Sequence, residues 1–307
     1  MNRSVKSLFL AIPFVIIYFL ARSLPVEPCD FLHEETYNQD GELDYCGPGD
    51  AGFVDLTIRK WPLTMKMRPL GEVSLNKKCE FEINLKEFDG SPLSADEVAL
   101  SHTQKIHLMA VDPSLEDYQH LHPVADGLFD GIWRFSFTPK RIGEYKIFLD
   151  LIPIRSPRRV LLSSSFMVEG ETKIVQQKEQ STHFAIKNRK FTLDITPSEL
   201  SGEEIVLTFK ARNLNGQPLT LRPVMGAHAH MVAFDWDRKG FAHLHPLETG
   251  EVIGPATEPL TQDLKFLFKT SQIKQCRLWA QVLLEDDQNE TFIPFSLDLR
   301  NNSYETN

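Results

Sequence analysis

The chain lacks the signatures of several common protein classes. Its 307 residues carry a net charge of −9, which argues against a nucleic-acid partner because phosphates need a basic surface. It contains no Gly-rich phosphate loop, no Gly-x-Ser-x-Gly elbow and no His-Glu-x-x-His motif. No segment after residue 24 keeps a period of 3.6 residues, so amphipathic helices are not expected there.

Cysteine is scarce, with four residues in the chain. Cys29 and Cys46 bracket an acidic, glycine-containing segment that would not fold unaided, and an oxidising location favours a disulfide between them. A metal pair is the alternative, although thiolate ligands usually come about two to four residues apart. Cys79 and Cys276 lie in apolar strand patterns at non-equivalent places, which favours buried free thiols over a bridge between domains.

The chain has one long apolar run, at its N-terminus. Arg3 and Lys6 precede the apolar residues 7–21, and small residues suited to cleavage lie at Ala21 and Ser23. We expect residues 1–24 to be either a cleaved signal peptide or an uncleaved membrane anchor, and both alternatives stay open at this point. Acidic residues follow, so both alternatives export the bulk of the protein to the periplasmic or extracellular face, membrane-anchored or secreted.

A duplicated histidine motif is the main feature of the remaining chain. His-Leu-His-Pro occurs at 120–123 and again at 243–246, and each copy follows an earlier histidine, His107 or His230, at the same spacing. The two segments align without a gap at a constant offset of 123 residues. A duplicated unit that keeps three imidazoles in register is the part of the chain that points to chemistry.

The repeat defines the expected domain organisation. Each copy spans about 115 residues, and apolar and polar residues alternate within it, as at Phe81, Ile83 and Leu85. This pattern predicts an all-β protein with two tandem immunoglobulin-like antiparallel β-sandwich domains after an N-terminal hydrophobic helix; a small barrel is the alternative. The expected segments are 1–24 (signal or anchor), 25–52 (acidic), 53–170 (first repeat), 171–182 (polar linker), 183–300 (second repeat) and 301–307 (polar tail).

Strand geometry predicts that each repeat gathers its histidines. Residues 106–112 and 117–123 read as a hairpin, and pairing about its centre places His107 opposite His122. His120 shares their face because residues two apart in a strand point the same way. The second hairpin would likewise gather its three histidines, with His228 on the same face. His102 lies an odd number of residues from His107, in a loop, and is left out.

Neutral imidazoles at this spacing suit Cu(II) or Zn(II), and Met109, on the face of His107, adds a soft ligand that favours Cu(I). The alternative is structural, because hairpin histidines can hydrogen-bond backbone carbonyls and the same face carries apolar residues such as Val111. The predicted metal ligands are His107, His120, His122, His228, His230, His243, His245 and Met109.

These motifs resemble a group of exported bacterial proteins labelled YtkA-like or FixH-like. The resemblance rests on His102 to Pro123 and on Met225 to Pro246, and covers most of 75–170 and 200–298. It implies immunoglobulin-like domains in the cell envelope, a link to copper, and partners among copper-handling or oxidase-assembly proteins. It supplies no reaction.

The expected function is therefore a non-enzymatic envelope protein that binds a transition metal, copper before zinc. An envelope interaction protein with structural histidines is the first alternative. A histidine-ligated metalloenzyme is the second, and it is disfavoured because Asp112 and Asp235 lie at the far ends of the hairpins, away from the imidazoles.

Overall fold

The computed structural model describes residues 12–20, 52–156, 158–170, 180–198, 204–247 and 256–300. The chain divides into two compact units, Met1–Asp30 and Phe31–Asn307. Residues 12–20 of the first unit are helical. Within the described ranges, no helix has the length and apolar character needed to cross a membrane. The predicted cleavage position and the Cys29–Cys46 pair lie outside the described residues.

The second unit is built from strands, which confirms the predicted all-β class. Its one short 3-10 helix in the described ranges is Ala95–Glu97. The strands are β1 (Val54–Asp55), β2 (Leu63–Pro69), β3 (Cys79–Glu87), β4 (Ile106–Val111), β5 (Tyr118–Leu121), β6 (Val124–Ala125), β7 (Ile132–Phe137), β8 (Gly143–Leu151), β9 (Val160–Val168), β10 (His183–Ile186), β11 (Arg189–Pro197), β12 (Glu204–Asn213), β13 (Leu221–Arg222), β14 (His230–Asp235), β15 (Gly240–Leu244), β16 (Leu264–Lys269), β17 (Gln275–Leu284) and β18 (Thr291–Asp298).

Strands β2 to β9 form a first sandwich-like layer pair. One sheet has the order β2-β3-β7-β6 and the other β5-β4-β8-β9, and all strand pairs are antiparallel. Alternation in β3 buries Phe81, Ile83 and Leu85 completely, as the sequence pattern predicts. These residues pack against Tyr145, Ile147 and others of the facing sheet, so one apolar cluster fills the space between the two sheets.

Strands β10 to β18, joined by β1, form the second layer pair. One sheet has the order β10-β11-β12-β16, and the other contains β1-β15-β14-β17-β13 with β18 also paired to β17. β1 pairs with β15 although its residues belong to the first repeat of the sequence. Gly240 permits this pairing, because a Cβ there would lie 1.8 Å from the Val54 carbonyl oxygen.

The sheets containing β4 and β14, called the inner sheets below, pack against each other. A separate apolar cluster joins them, in which Tyr118 stacks on Trp279 at 5.7 Å and Phe148 stacks on Phe234 at the same distance between ring centroids. Trp279 also donates its indole N–H to the Leu115 carbonyl. Strand β4 is consequently buried on both faces, one toward each neighbouring sheet.

The two cysteines that the structure describes, Cys79 and Cys276, are buried free thiols, in agreement with the sequence-based expectation. Each lies in the apolar cluster of a different sandwich. Burial raises the pKa of the Cys276 thiol to about 12.

Candidate metal centre

The predicted register of both histidine hairpins is confirmed. Met109 pairs with His120 across β4 and β5, and Val232 pairs with His243 across β14 and β15. β5 ends at Leu121, so His122 follows the last paired residue, and His245 follows β15 in the same way. The side chains of each hairpin that do not enter its own sandwich core face the other inner sheet.

Face-to-face packing of the inner sheets merges the two predicted trios into one group. The His107 and His122 rings are 5.1 Å apart, and the His243 and His245 rings 4.6 Å apart, between centroids. Between the repeats, the His243 ring lies 5.4 Å from that of His107 and 5.5 Å from that of His120. The histidine cluster consists of His102, His107, His120, His122, His230, His243 and His245.

The rings of His107 and His120 make three short contacts. Three hydrogen bonds would need three N–H groups, which is more than two neutral rings carry. His107 Nε2 lies 2.7 Å from the Ser101 carbonyl oxygen, and His107 Nδ1 lies 3.0 Å from His120 Nε2. His120 Nδ1 lies 2.7 Å from Gln281 Oε1, and the amide nitrogen of Gln281 donates to Glu290, which fixes the amide orientation. Two neutral imidazoles provide two N–H groups. The contact between the two rings is therefore left as two facing lone pairs.

His243 is oriented by a buried ion pair. Its Nδ1 lies 3.3 Å from Asp150 Oδ2, and Arg159 binds both oxygens of the same carboxylate, at 2.8 and 2.5 Å. Burial alone would raise the pKa of Asp150, but the Arg159 guanidinium and the contact with His243 hold it well below its usual range. The carboxylate accepts the Nδ1 hydrogen, which leaves His243 Nε2 as the atom able to bind a cation.

The contacts of His120 and His243 are reciprocal across the two repeats. His120 of the first repeat bonds Gln281 of the second, while His243 of the second bonds Asp150 of the first. Gln281 occupies the position 131 residues after Asp150, and Glu290, which holds Gln281, the position 131 residues after Arg159. Such reciprocity is the property of an approximate twofold axis. The charges differ, because one acceptor is a carboxylate and the other an amide.

Two overlapping sets of nitrogens lie close enough to share an ion. One is His107, His120 and His243, the other His230, His243 and His245, and within each set the ligand atoms lie within 4.8 Å of one another. The second set coincides with a predicted trio. In the first, His243 from the other repeat takes the place expected for His122.

Burial keeps five rings of the cluster neutral. Desolvation, followed by neighbouring histidines, holds the pKa values of His107, His120, His230 and His245 well below their usual range. The same causes lower the pKa of His122 to about 4. In the part of the chain that the structure describes, buried ring nitrogens of His122, His230 and His245 have no hydrogen-bond partner. Neutral rings with unused lone pairs are the form in which histidine binds metals.

The two remaining predicted ligands, His228 and Met109, do not belong to either group of nitrogens. His228 was expected on the face of His230, but β14 begins only at His230, so strand alternation does not extend to His228, and its Nε2 bonds the Glu258 carbonyl at 2.7 Å. Met109 is fully buried in the apolar cluster between the inner sheets, on the face of His107 and directly opposite His120. Its equivalent, Val232, lies in the same cluster.

Three participants were not selected from the sequence. His102 lies at a turn with φ of 48° and stacks on His245 of the other repeat at 3.7 Å, so its odd spacing from His107 is irrelevant. Asp150 and Gln281 are polar residues within otherwise apolar stretches of β8 and β17. Asp150 and Gln281 occupy equivalent positions in the aligned repeats, and this equivalence could have identified both residues from the sequence.

The second repeat is similar to a known family of domains, and the whole fold is distantly similar to several solved structures. Residues 182–300 match a domain of unknown function, DUF8832. No curated protein matches. Alpha-2-macroglobulin from Salmonella is similar over 78% of this chain and 15% of its own, with 13% identity and a TM-score of 0.26. A DUF4785 family protein from Legionella pneumophila is similar over 78% of this chain and 58% of its own, with 10% identity and a TM-score of 0.25.

Proposed function

We propose that this protein binds one transition-metal ion, copper in preference to zinc, in the histidine cluster between its inner sheets. The observation that carries the proposal is the pair of facing lone pairs on His107 and His120, 3.0 Å apart in a buried site. Two acceptors at this distance repel each other unless a cation lies beside them. A proton is disfavoured because burial lowers the pKa of both rings. A metal ion relieves the repulsion without protonating either imidazole.

The donor set favours copper. Both ligand groups consist of imidazole nitrogens alone, and for such sites the affinity of divalent ions is highest for Cu(II). The described thiols do not compete, since Cys276 lies in the core of the second sandwich. Met109, opposite His120, offers a soft thioether for Cu(I). Copper also follows from the resemblance to YtkA-like and FixH-like proteins.

The sharing of His243 favours one bound ion at a time. His243 belongs to both ligand groups, and its Nδ1 hydrogen is engaged by Asp150. A neutral imidazole with one nitrogen protonated has one lone pair to donate. An ion in the His107–His120–His243 group and an ion in the His230–His243–His245 group therefore exclude each other.

The role that fits this centre is storage or transfer of the ion by a non-enzymatic protein. Three imidazoles leave coordination positions through which an ion can be exchanged. The acid nearest the cluster, Asp150, is committed to Arg159 and His243 and is poorly suited to act as a base. We further propose two immunoglobulin-like domains, export to the cell envelope, and partners among copper-handling or oxidase-assembly proteins.

A structural role for the histidines, in an envelope interaction protein, is the second candidate. It is favoured by the bonds from His107 and His230 to the carbonyls of Ser101 and Val224. These bonds use one nitrogen of each ring. They do not account for the opposite nitrogens, which face other imidazoles or have no hydrogen-bond partner among the described residues.

Direct titration separates the two candidates. Purified protein is titrated with Cu(II), Cu(I) and Zn(II) in competition with chelators of known affinity. We expect one ion per chain, bound more tightly for copper, and loss of binding in the double variant His107→Ala/His243→Ala. His228→Ala is the matched control, because it removes a histidine outside the cluster. Absence of binding to the unsubstituted protein would leave the structural candidate.

A further inference from the structure

One cavity of the molecule opens beside the histidine cluster. A groove of about 420 Å³ runs along the first sandwich next to the end of β5, which is room for a hydrated ion whose six waters occupy about 180 Å³. Its lining includes Lys78, Glu80, His122, Val124 and Arg134. His122 is the member of the cluster that reaches it.

His122 lies on the boundary between this groove and the buried ligands. His122 is one of the residues that line the groove, while its Nε2 is buried and has no hydrogen-bond partner in the described ranges. The ring centroid lies 5.1 Å from that of His107 and 5.0 Å from that of His120. It nevertheless does not belong to either compact ligand group.

In the second repeat, one ring face of the equivalent histidine is covered. His245 corresponds to His122 in the aligned repeats, but the His102 ring stacks on it at 3.7 Å with an interplanar angle of 25°. His102 has no histidine counterpart in the second repeat, where Met225 occupies the equivalent turn position. The approximate symmetry is therefore broken at this pair, because the described contacts of the His122 ring are edge-on or tilted and His122 lines the groove.

We infer that His122 is a relay ligand, which takes a metal ion from the groove and passes it to His107, His120 and His243. The inference rests on the proposed function and adds its access route. The charged side chains of the groove are compensated by neighbouring charges of opposite sign, so the groove as a whole does not attract cations electrostatically. The metal ion is therefore selected by His122. Glu80 offsets Lys78, and Arg134 is paired with Glu82 and Asp126. An imidazole nitrogen is then the donor that captures the ion.

A relay ligand changes the rates of binding without changing the equilibrium. With Cu(II) as the probe, we expect His122→Ala to slow loading, followed by stopped-flow absorbance, by about tenfold. Because the Kd is the ratio of the release and loading rate constants, extraction by EDTA must slow by the same factor, with the Kd within about threefold of its original value.

A second variant tests the route without altering any histidine. Val124 lines the groove and is 71% exposed, so Val124→Trp narrows the groove with little effect on folding. We expect it to slow loading and extraction together. Leu214→Trp, at an exposed position of the second sandwich, is the matched control and should load at the original rate.

The outcomes are distinguishable. If His122→Ala weakens binding in proportion to its slower loading, or leaves all rates unchanged, the relay is wrong while the metal centre stands. Unchanged rates in Val124→Trp would refute the groove as the route. If the unsubstituted protein binds no Cu(II), the proposed function fails and the relay fails with it.

Discussion

His243 is the residue whose removal should have the largest effect on metal binding, because it belongs to both ligand groups. An ion present at about 100 times its Kd stabilises the folded state by ~2.7 kcal/mol. For a chain of this size that corresponds to a rise in Tm of roughly 5–10 °C. The size of this rise in single variants therefore reports how each histidine contributes.

The two ligand groups predict unequal losses. His107→Ala leaves the group of His230, His243 and His245 intact, so we expect about a tenfold loss of affinity and a stabilisation reduced by ~1.4 kcal/mol at the same ion concentration. His243→Ala leaves only two histidines of either group. We expect about a hundredfold loss, which removes nearly the whole rise in Tm.

The assay is thermal unfolding by circular dichroism with and without Cu(II), at constant protein and ion concentration. His228→Ala should retain the full rise. Equal losses in His107→Ala and His243→Ala would refute the sharing of His243, and an undiminished rise in His243→Ala would refute the centre itself.

The remaining predictions concern the surroundings of the centre and its response to pH. Asp150→Asn should weaken copper binding about 10–100-fold, because His243 loses the group that orients it. The same change leaves the Arg159 charge buried and should destabilise the fold by ~3–5 kcal/mol. Adding Arg159→Leu should restore the stability measured by urea unfolding but should not restore copper affinity. His122→Leu/His245→Leu removes two buried nitrogens that have no hydrogen-bond partner among the described residues. The metal-free protein should therefore become more stable by ~1–2 kcal/mol. A loss of stability would instead favour a structural role for these histidines. The pKa values of the buried cluster histidines are lower in the folded than in the unfolded protein, so below pH ~6.5 the unfolded chain binds more protons and the free energy of unfolding should fall by about 1.4 kcal/mol per pH unit for each such histidine. Urea unfolding at pH 7.5 and 5.5 measures this, and equal stability at both would contradict it.

Local geometry was predictable from the sequence. The alternation of Phe81, Ile83 and Leu85 predicted which face of β3 is buried, and the spacing of His107 and His122 predicted the hairpin register. Both depend on the two-residue period of an extended chain and on the turn between neighbouring strands. They involve residues close in sequence, whose relative positions the backbone already restricts.

The composition of the centre was not predictable in the same way. His243 joins His107 and His120 only because the inner sheets pack face to face, and His102 joins His245 for the same reason. His228 fails to join because a strand begins two residues later than the alternation suggested. The alternation of side chains along a strand predicts which residues share a face, but it does not predict which sheet that face will contact.

The amino-acid sequence by itself determined the β class, the duplication, the hairpin registers and the presence of three imidazoles on one face of each hairpin, since these follow from side-chain alternation along an extended backbone. Only the tertiary structure decided that the two faces meet, that Asp150 and Gln281 orient histidines of the opposite repeat, and that His122 lies at the edge of the cluster. The physical reason is that these contacts arise from the burial of apolar surface between the inner sheets, which depends on the shapes of both sheets together.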